Sequence, residues 1–309
     1  MAKTELTIVM PGMAAILSQE INRNTIPPYL TKLISKATKV EMVEGVSRSL
    51  FNHFSESPLT SSDLPICDVV PTKGVIIKAD PCYLHADRDR LLLFAKGITL
   101  TEQESRELIG EIQPLLSEIG ELKLINASSW QLELNHVPDI QFSALEEVEG
   151  KGVDAYLPVG EDRRQWLSLW NEVQMQLYNA DLNQHRMASQ QLPINSVWFW
   201  GMGNFVPTQA VWNTVSGQSE LLTQLVGTNP SANYRVEPPE AWPNGKNLWL
   251  LKEVDTESDW QATLQDLDRT VFGPLWQQLS KVAIDKVILQ IPQFAEYHIT
   301  PYSRWRFWR

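Results

Sequence analysis

The sequence is short of the residues from which redox and metal chemistry is most readily built. In 309 residues there are two cysteines, Cys67 and Cys82, with no Cys-x-x-Cys pair. Both read as buried hydrophobes rather than nucleophiles, and the expected setting is reduced and cytoplasmic. The five histidines, His53, His85, His136, His185 and His298, are widely separated, and none has His-x-His or His-Glu-x-x-His spacing. No apolar run reaches about 18 residues, so no membrane span is expected. Positive charge is in deficit: the net charge is -11, which argues against broad attraction to nucleic acid or an anionic membrane. The first residues, Met1 to Gly12, place an acid before a short apolar stretch, unlike a signal peptide. There is no internal repeat and no low-complexity segment.

What is present is an ordinary globular composition, 43% hydrophobic and 20% charged, with twelve tryptophans. Leu6 to Met10 reads as a buried strand closed by Pro11-Gly12, and Pro27-Pro28 precedes a helix with Leu30, Leu33 and Ile34 on one face. Residues 55 to 65 read as a surface loop, and Val75 to Lys78 as a second buried strand. Thr101 and Glu104 form a capping box before a helix that Pro114 is expected to kink or interrupt. Leu122 to Ile125 and Trp130 to Leu134 flank a turn as a hairpin. A helix from Glu161 carries Trp166, Leu169, Trp170, Val173 and Leu177 on one face. Ser196 to Trp200, Asn247 to Lys252 and Lys286 to Ile291 read as strands, with a helical stretch from Asp259 broken near Gly273-Pro274. Strands alternate with helices at both ends, which predicts a mostly parallel α/β layer, and the middle reads as α+β. The expected organisation is a split α/β core of residues 1–70 and 190–309, with an inserted α+β domain of residues 71–189.

The densest charge lies between Val75 and Phe94, where Asp80, His85, Asp87, Arg88, Asp89 and Arg90 are framed by apolar runs. Two readings stand. The charges form a salt-bridge knot, with at least one arginine paired to an aspartate, or Arg88 and Arg90 offer forked hydrogen bonds to a phosphate or carboxylate with Asp87 orienting them. The anion-site candidates are His85, Asp87, Arg88 and Arg90. Asn195, Trp200 and Gly201 are cleft candidates because ligands of open α/β sheets bind at carboxyl ends of strands; the alternative is that the tryptophans are simply buried. The tail from Arg304 to Arg309 interleaves arginine with aromatic residues. The interleaving suits single-stranded nucleic acid or a partner contact through Arg304, Trp305 and Trp308; the alternative is a last strand.

These segments carry a family resemblance. His85-Ala86-Asp87-Arg88 resembles the Arg-x-Asp-Arg element with which cofactor-independent phosphoglycerate mutases hold substrate phosphate, with histidine in place of the first arginine. Ile26 to Leu33, Leu100 to Leu108 and His185 to Gly203 resemble other parts of the archaeal-type enzymes of that family, within the alkaline phosphatase superfamily. Asp80, Asp87 to Leu91, Asn195 to Gly201 and Trp305 to Trp308 are similar to a bacterial group labelled as phosphoglycerate mutase. The resemblance implies a three-layer α/β/α core with an inserted α+β domain, a phosphorylatable serine and two divalent metals held by Asp and His. The sequence departs from that pattern. No acid ends the first strand at Val9-Met10-Pro11-Gly12, Gln290-Ile291-Pro292 stands where an Asp-His pair is expected, and Leu251 to Asp259 is acidic but lacks histidine. Ser47 and Ser49 are the nearest hydroxyls.

The expectation is therefore a degenerate relative with no assigned catalytic residue, metal or cofactor: a binding or scaffold protein that keeps an anion site for a small phosphorylated or carboxylate ligand. Two alternatives stay open, an active metal-dependent mutase or phosphohydrolase and a protein-interaction module acting through the tail.

Overall fold

The computed structural model describes residues 3–18, 26–69, 74–255 and 259–305. In chain order the elements begin with β1 (Thr4–Val9), α1 (Met13–Ser18), α2 (Pro28–Lys36), β2 (Thr38–Glu41) and α3 (Val46–Phe54). Then come β3 (Val75–Asp87), β4 (Arg90–Phe94), α4 (Glu102–Leu116), β5 (Gly120–Asn126), β6 (Ser129–Leu134), α5 (Leu145–Val148), α6 (Arg163–Tyr178), α7 (Asp181–Ala188) and β7 (Ser196–Trp200). The chain closes with β8 (Thr214–Ser216), α8 (Glu220–Gly227), β9 (Asn233–Arg235), β10 (Gly245–Leu250), α9 (Trp260–Leu267), α10 (Gly273–Ser280), β11 (Lys286–Ile291) and β12 (Ala295–Ile299). Among the described residues no helix is long and apolar enough to cross a membrane.

Two compact units result, residues 1–58 with 206–309, and residues 59–205. The sequence boundaries at 70/71 and 189/190 thus differ from the divisions at Pro58/Leu59 and Phe205/Val206. The larger shift has a clear cause: β7 pairs antiparallel with β3 and so belongs to the second unit.

The first unit is built on a seven-stranded sheet in the order β2-β12-β11-β1-β10-β8-β9. The strands from β11 to β9 run parallel, and at one edge β12 pairs antiparallel with both β11 and β2. Leu6 and Ile8 alternate toward one face, where Leu30 and Leu33 of α2, Leu264 of α9 and Leu275 and Leu279 of α10 bury them. Val9 and Gln290 are paired in register and face the other way, toward α3, which lies beside α8. Helix, sheet and helix layers follow from that alternation.

The expected break at Gly273-Pro274 is a π-helical turn, Asp268–Phe272, between α9 and α10. Pro274 cannot donate to an α ladder, and the wider turn absorbs this. The same turn holds the buried Asp268 carboxylate against the start of α2, where it accepts from the amides of Tyr29 (3.2 Å) and Leu30 (2.8 Å). Those amides have no partner within their own helix, and the carboxylate also suits the positive end of its dipole.

The second unit is an antiparallel sheet with helices, its order β4-β3-β6-β5 with β7 also on β3. The strand expected to stop at Lys78 continues through Asp87 and serves as a spine. It pairs with β6 over Val75–Lys78, β7 over Lys78–Cys82 and β4 over Tyr83–Asp87. Pro81 is tolerated because only β7 flanks the spine there. Helix α4 starts at the expected capping box, Thr101 with Glu104. It is not interrupted at Pro114 but runs to Leu116; the carbonyl that loses its donor belongs to Gly110, at an exposed position where water can replace it. Helix α6 buries Trp166, Leu169, Trp170, Val173 and Leu177, as their spacing predicts.

Candidate functional site

At the carboxyl end of β11 in the first unit, polar side chains converge on Gln290. Helix α3 presents Ser49 and His53 four residues apart, hence on one face. Across the antiparallel ladder Glu296 stands opposite Gln290, and His298 shares its face of β12. Gln290 Oε1 accepts from Ser49 Oγ at 3.1 Å and from His53 Nε2 at 2.7 Å. Gln290 Nε2 donates to Glu296 Oε1 at 2.6 Å, and the second oxygen of Glu296 accepts from His298 Nε2 at 3.0 Å. An amide oxygen can only accept, so His53 carries its proton on Nε2. Burial holds the His53 imidazole below its ordinary pKa of 6.5, against the opposing pull of Gln290, Glu296 and Glu44. The ring also meets Trp212 edge-on at 5.6 Å, and the Trp212 indole donates to the His53 carbonyl.

This arrangement limits the chemistry. Ser49 is 2% exposed, and its hydroxyl donates to an amide rather than to a base. Gln290 supplies no anionic oxygen, and both oxygens of Glu296 are engaged. Among the described residues no group of three or more His, Cys, Asp and Glu side chains could hold a metal ion. One carboxylate, two histidines and a neutral amide do not fit a two-metal phosphoryl-transfer centre.

The charged segment lies in the second unit, at the tip of the β3–β4 hairpin. Asp87 pairs with Arg90 across the two-residue turn Arg88-Asp89, and Arg88 sits at φ 55. His85, Asp87, Arg88 and Arg90 are all exposed. Tyr83 and His85 meet at 3.1 Å on one face of β3. The expected knot does not form, since no ion pair joins Arg88 or Arg90 to an aspartate among the described residues. Asp80 is buried in the sheet instead, where it accepts from the Trp200 indole at 2.9 Å and the Trp130 amide at 3.2 Å, with Lys78 at 3.8 Å. Burial raises its pKa, and Lys78 and those donors oppose the rise.

The cleft candidates are tied up within the second unit. Asn195 bonds both backbone groups of Leu84, receiving at 2.7 Å and donating at 2.9 Å. Trp200 is spent on Asp80. Gly201 turns the chain at φ 92, where an added Cβ would lie 2.8 Å from Ile66. That turn is held by Asp63, 1% exposed, whose carboxylate accepts from the amides of Leu64, Gly201 and Met202. Sequence reading missed Asp63 in a Ser- and Pro-rich loop; the one signal was an acid just before Leu64-Pro65. Cys82 is fully buried, and burial pushes the Cys67 thiol up to about 12.

Of the tail candidates, Trp308 lies outside the described residues, with Arg306, Phe307 and Arg309. Arg304 and Trp305 end a 3-10 turn, Pro301–Trp305, rather than a strand.

The layers define a mixed α/β protein. No family model matches the chain. Over 146 residues it is 23% identical to a protein of Geobacter sulfurreducens described as a probable 2,3-bisphosphoglycerate-independent phosphoglycerate mutase. The match spans 45% of this chain and about a third, 32%, of that relative. Among solved structures it is similar to the PH0037 protein of Pyrococcus horikoshii, with a TM-score of 0.49 at 9% identity, covering 96% of this chain and 87% of that one. It is also similar to a cofactor-independent phosphoglycerate mutase of Thermoplasma acidophilum, with a TM-score of 0.38 at 13% identity, covering 97% and 90%. In sequence the chain is thus similar to that probable mutase over the matched part alone.

Proposed function

We propose that this chain is a non-catalytic relative of the cofactor-independent phosphoglycerate mutases, a binding or scaffold protein rather than a two-metal phosphotransferase. The observation that carries the reading is Gln290, whose amide joins Ser49, His53 and Glu296 at the strand end where the resemblance would place metal ligands. A neutral amide there makes the groups around it structural partners of one another. The exposed Arg88 and Arg90 are the groups through which a phosphate or carboxylate ligand would be held. The test is metal analysis of the purified chain with mutase and phosphatase assays in manganese. The expected result is neither stoichiometric metal nor turnover. Stoichiometric metal together with turnover lost in Ser49→Ala would overturn the proposal in favour of an active metal-dependent enzyme.

A further inference from the structure

A separate feature of the first unit is a cavity of about 260 Å³ on the sheet face that α9 and α10 cover. Its size lies just below the range of drug-sized ligand pockets, which suits a smaller ligand. Trp249 reaches it from β10, and Trp242 from the loop before that strand. Pro238 and Pro239 form further wall, and each fixes its own φ, so the loop that carries Trp242 is stiff. Leu275 lines the cavity from α10, and among the described residues Glu240 is the only charged side chain lining it.

The two indoles are 6.0 Å apart and tilted by 43°, so their planes diverge instead of stacking. Both rings are half-buried. The indoles of Trp170, Trp198, Trp200 and Trp212 each donate to an oxygen. Among the described residues neither Trp242 nor Trp249 has such a partner, and no cation pairs with Glu240.

We propose that this cavity binds a small organic cation with an apolar body, of the quaternary-ammonium or methylated-amine type. The faces of indole rings carry negative potential, and tryptophan is the strongest of the aromatic side chains in holding a cation. Methyl groups on the nitrogen pack against proline and leucine, and they leave a weakly hydrated charge that is cheap to bring out of water. Glu240 supplies the one full negative charge. With no lysine or arginine among the described residues of the wall, an anion finds no counter-charge there. The proposal is independent of the reading of the Gln290 network.

The experiment is calorimetric titration of the whole chain with tetramethylammonium, choline, a trimethyl-lysine peptide and the neutral tert-butyl isostere of choline. Saturable binding of the cations is expected, with the neutral isostere weaker by about tenfold or more. The peptide arm separates a free cation from a modified side chain. Glu240→Gln should weaken the cations several-fold and leave the isostere unchanged, and Trp242→Leu should abolish cation binding. Glu240 is exposed, so its variant tests the site even if Trp242→Leu disturbs the loop. Equal affinity for cation and isostere, no saturable binding, or cation binding unchanged in both variants would overturn the proposal.

Discussion

Replacing Gln290 with leucine, which is one atom shorter and branches at Cγ, removes the amide on which three polar groups converge. The Ser49 hydroxyl is 2% exposed and loses its acceptor. The His53 N–H loses its acceptor too, at a ring whose pKa already records its burial. A buried donor left without a partner costs about 1–3 kcal/mol. Glu296 also loses a donor, but its side chain is 25% exposed and keeps His298, so water makes up most of the difference. Leucine returns part of the loss by burying apolar surface, which leaves a destabilisation of roughly 2–4 kcal/mol. Urea unfolding with a probe in the first unit would measure it, because two units need not unfold in one transition. In a double-mutant cycle Ser49→Ala should cost less in the Gln290→Leu background than alone, with a coupling of about 1 kcal/mol. A Gln290→Leu protein within about 0.5 kcal/mol of the parent would refute the reasoning, since the amide would then be no more than packing.

Two further predictions follow from burial. Because burial holds His53 neutral, the unfolded chain takes up a proton below pH 6.5 that the folded chain refuses. Stability from this group is therefore complete above that pH and falls on acidification by at most about 1.4 kcal/mol per pH unit, until the lowered folded pKa is passed. A His53→Gln variant should lose that slope, and unfolding curves from pH 7 to 5 that stay parallel to the parent's would refute the assignment. Asp63→Ala removes the acceptor from the amides of Leu64, Gly201 and Met202 and should destabilise the second unit by about 3–5 kcal/mol. Amide exchange at Gly201 and Met202 should speed up with it, and unchanged protection at both would count against the role.

The elements with a strong period were legible in the sequence. The apolar faces of α2 and α6, the β5–β6 hairpin and the capping box of α4 lie where spacing and caps place them. The spine β3 was cut short because Asp80 and Pro81 look like breakers when their partners are unknown. Asp80 is compatible with a strand only because Trp200 and Trp130, far along the chain, supply donors. The candidate site was half legible. Ser49 and the departure at Gln290 could be named, but Glu296 and His298 join them only through the β11–β12 register. The hairpin arginines show the opposite error. Their density along the chain suggests mutual pairing, yet a two-residue turn points charges outward into water.

The division of the first unit into two chain segments has a consequence for synthesis. Thr4 pairs with Gly245 and Glu5 with Lys286, so β1 has no neighbour until β10 is made and lacks the second until β11 follows. At about 5–20 residues per second the strand waits roughly 10–50 s for β10 alone, with Leu6 and Ile8 uncovered. The second unit is continuous in sequence and can close its own sheet in that interval. A nascent chain whose first 210 residues have emerged from the ribosome should therefore carry a protease-resistant second unit behind an unprotected amino-terminal segment, and this is the stage at which a chaperone would have most to cover.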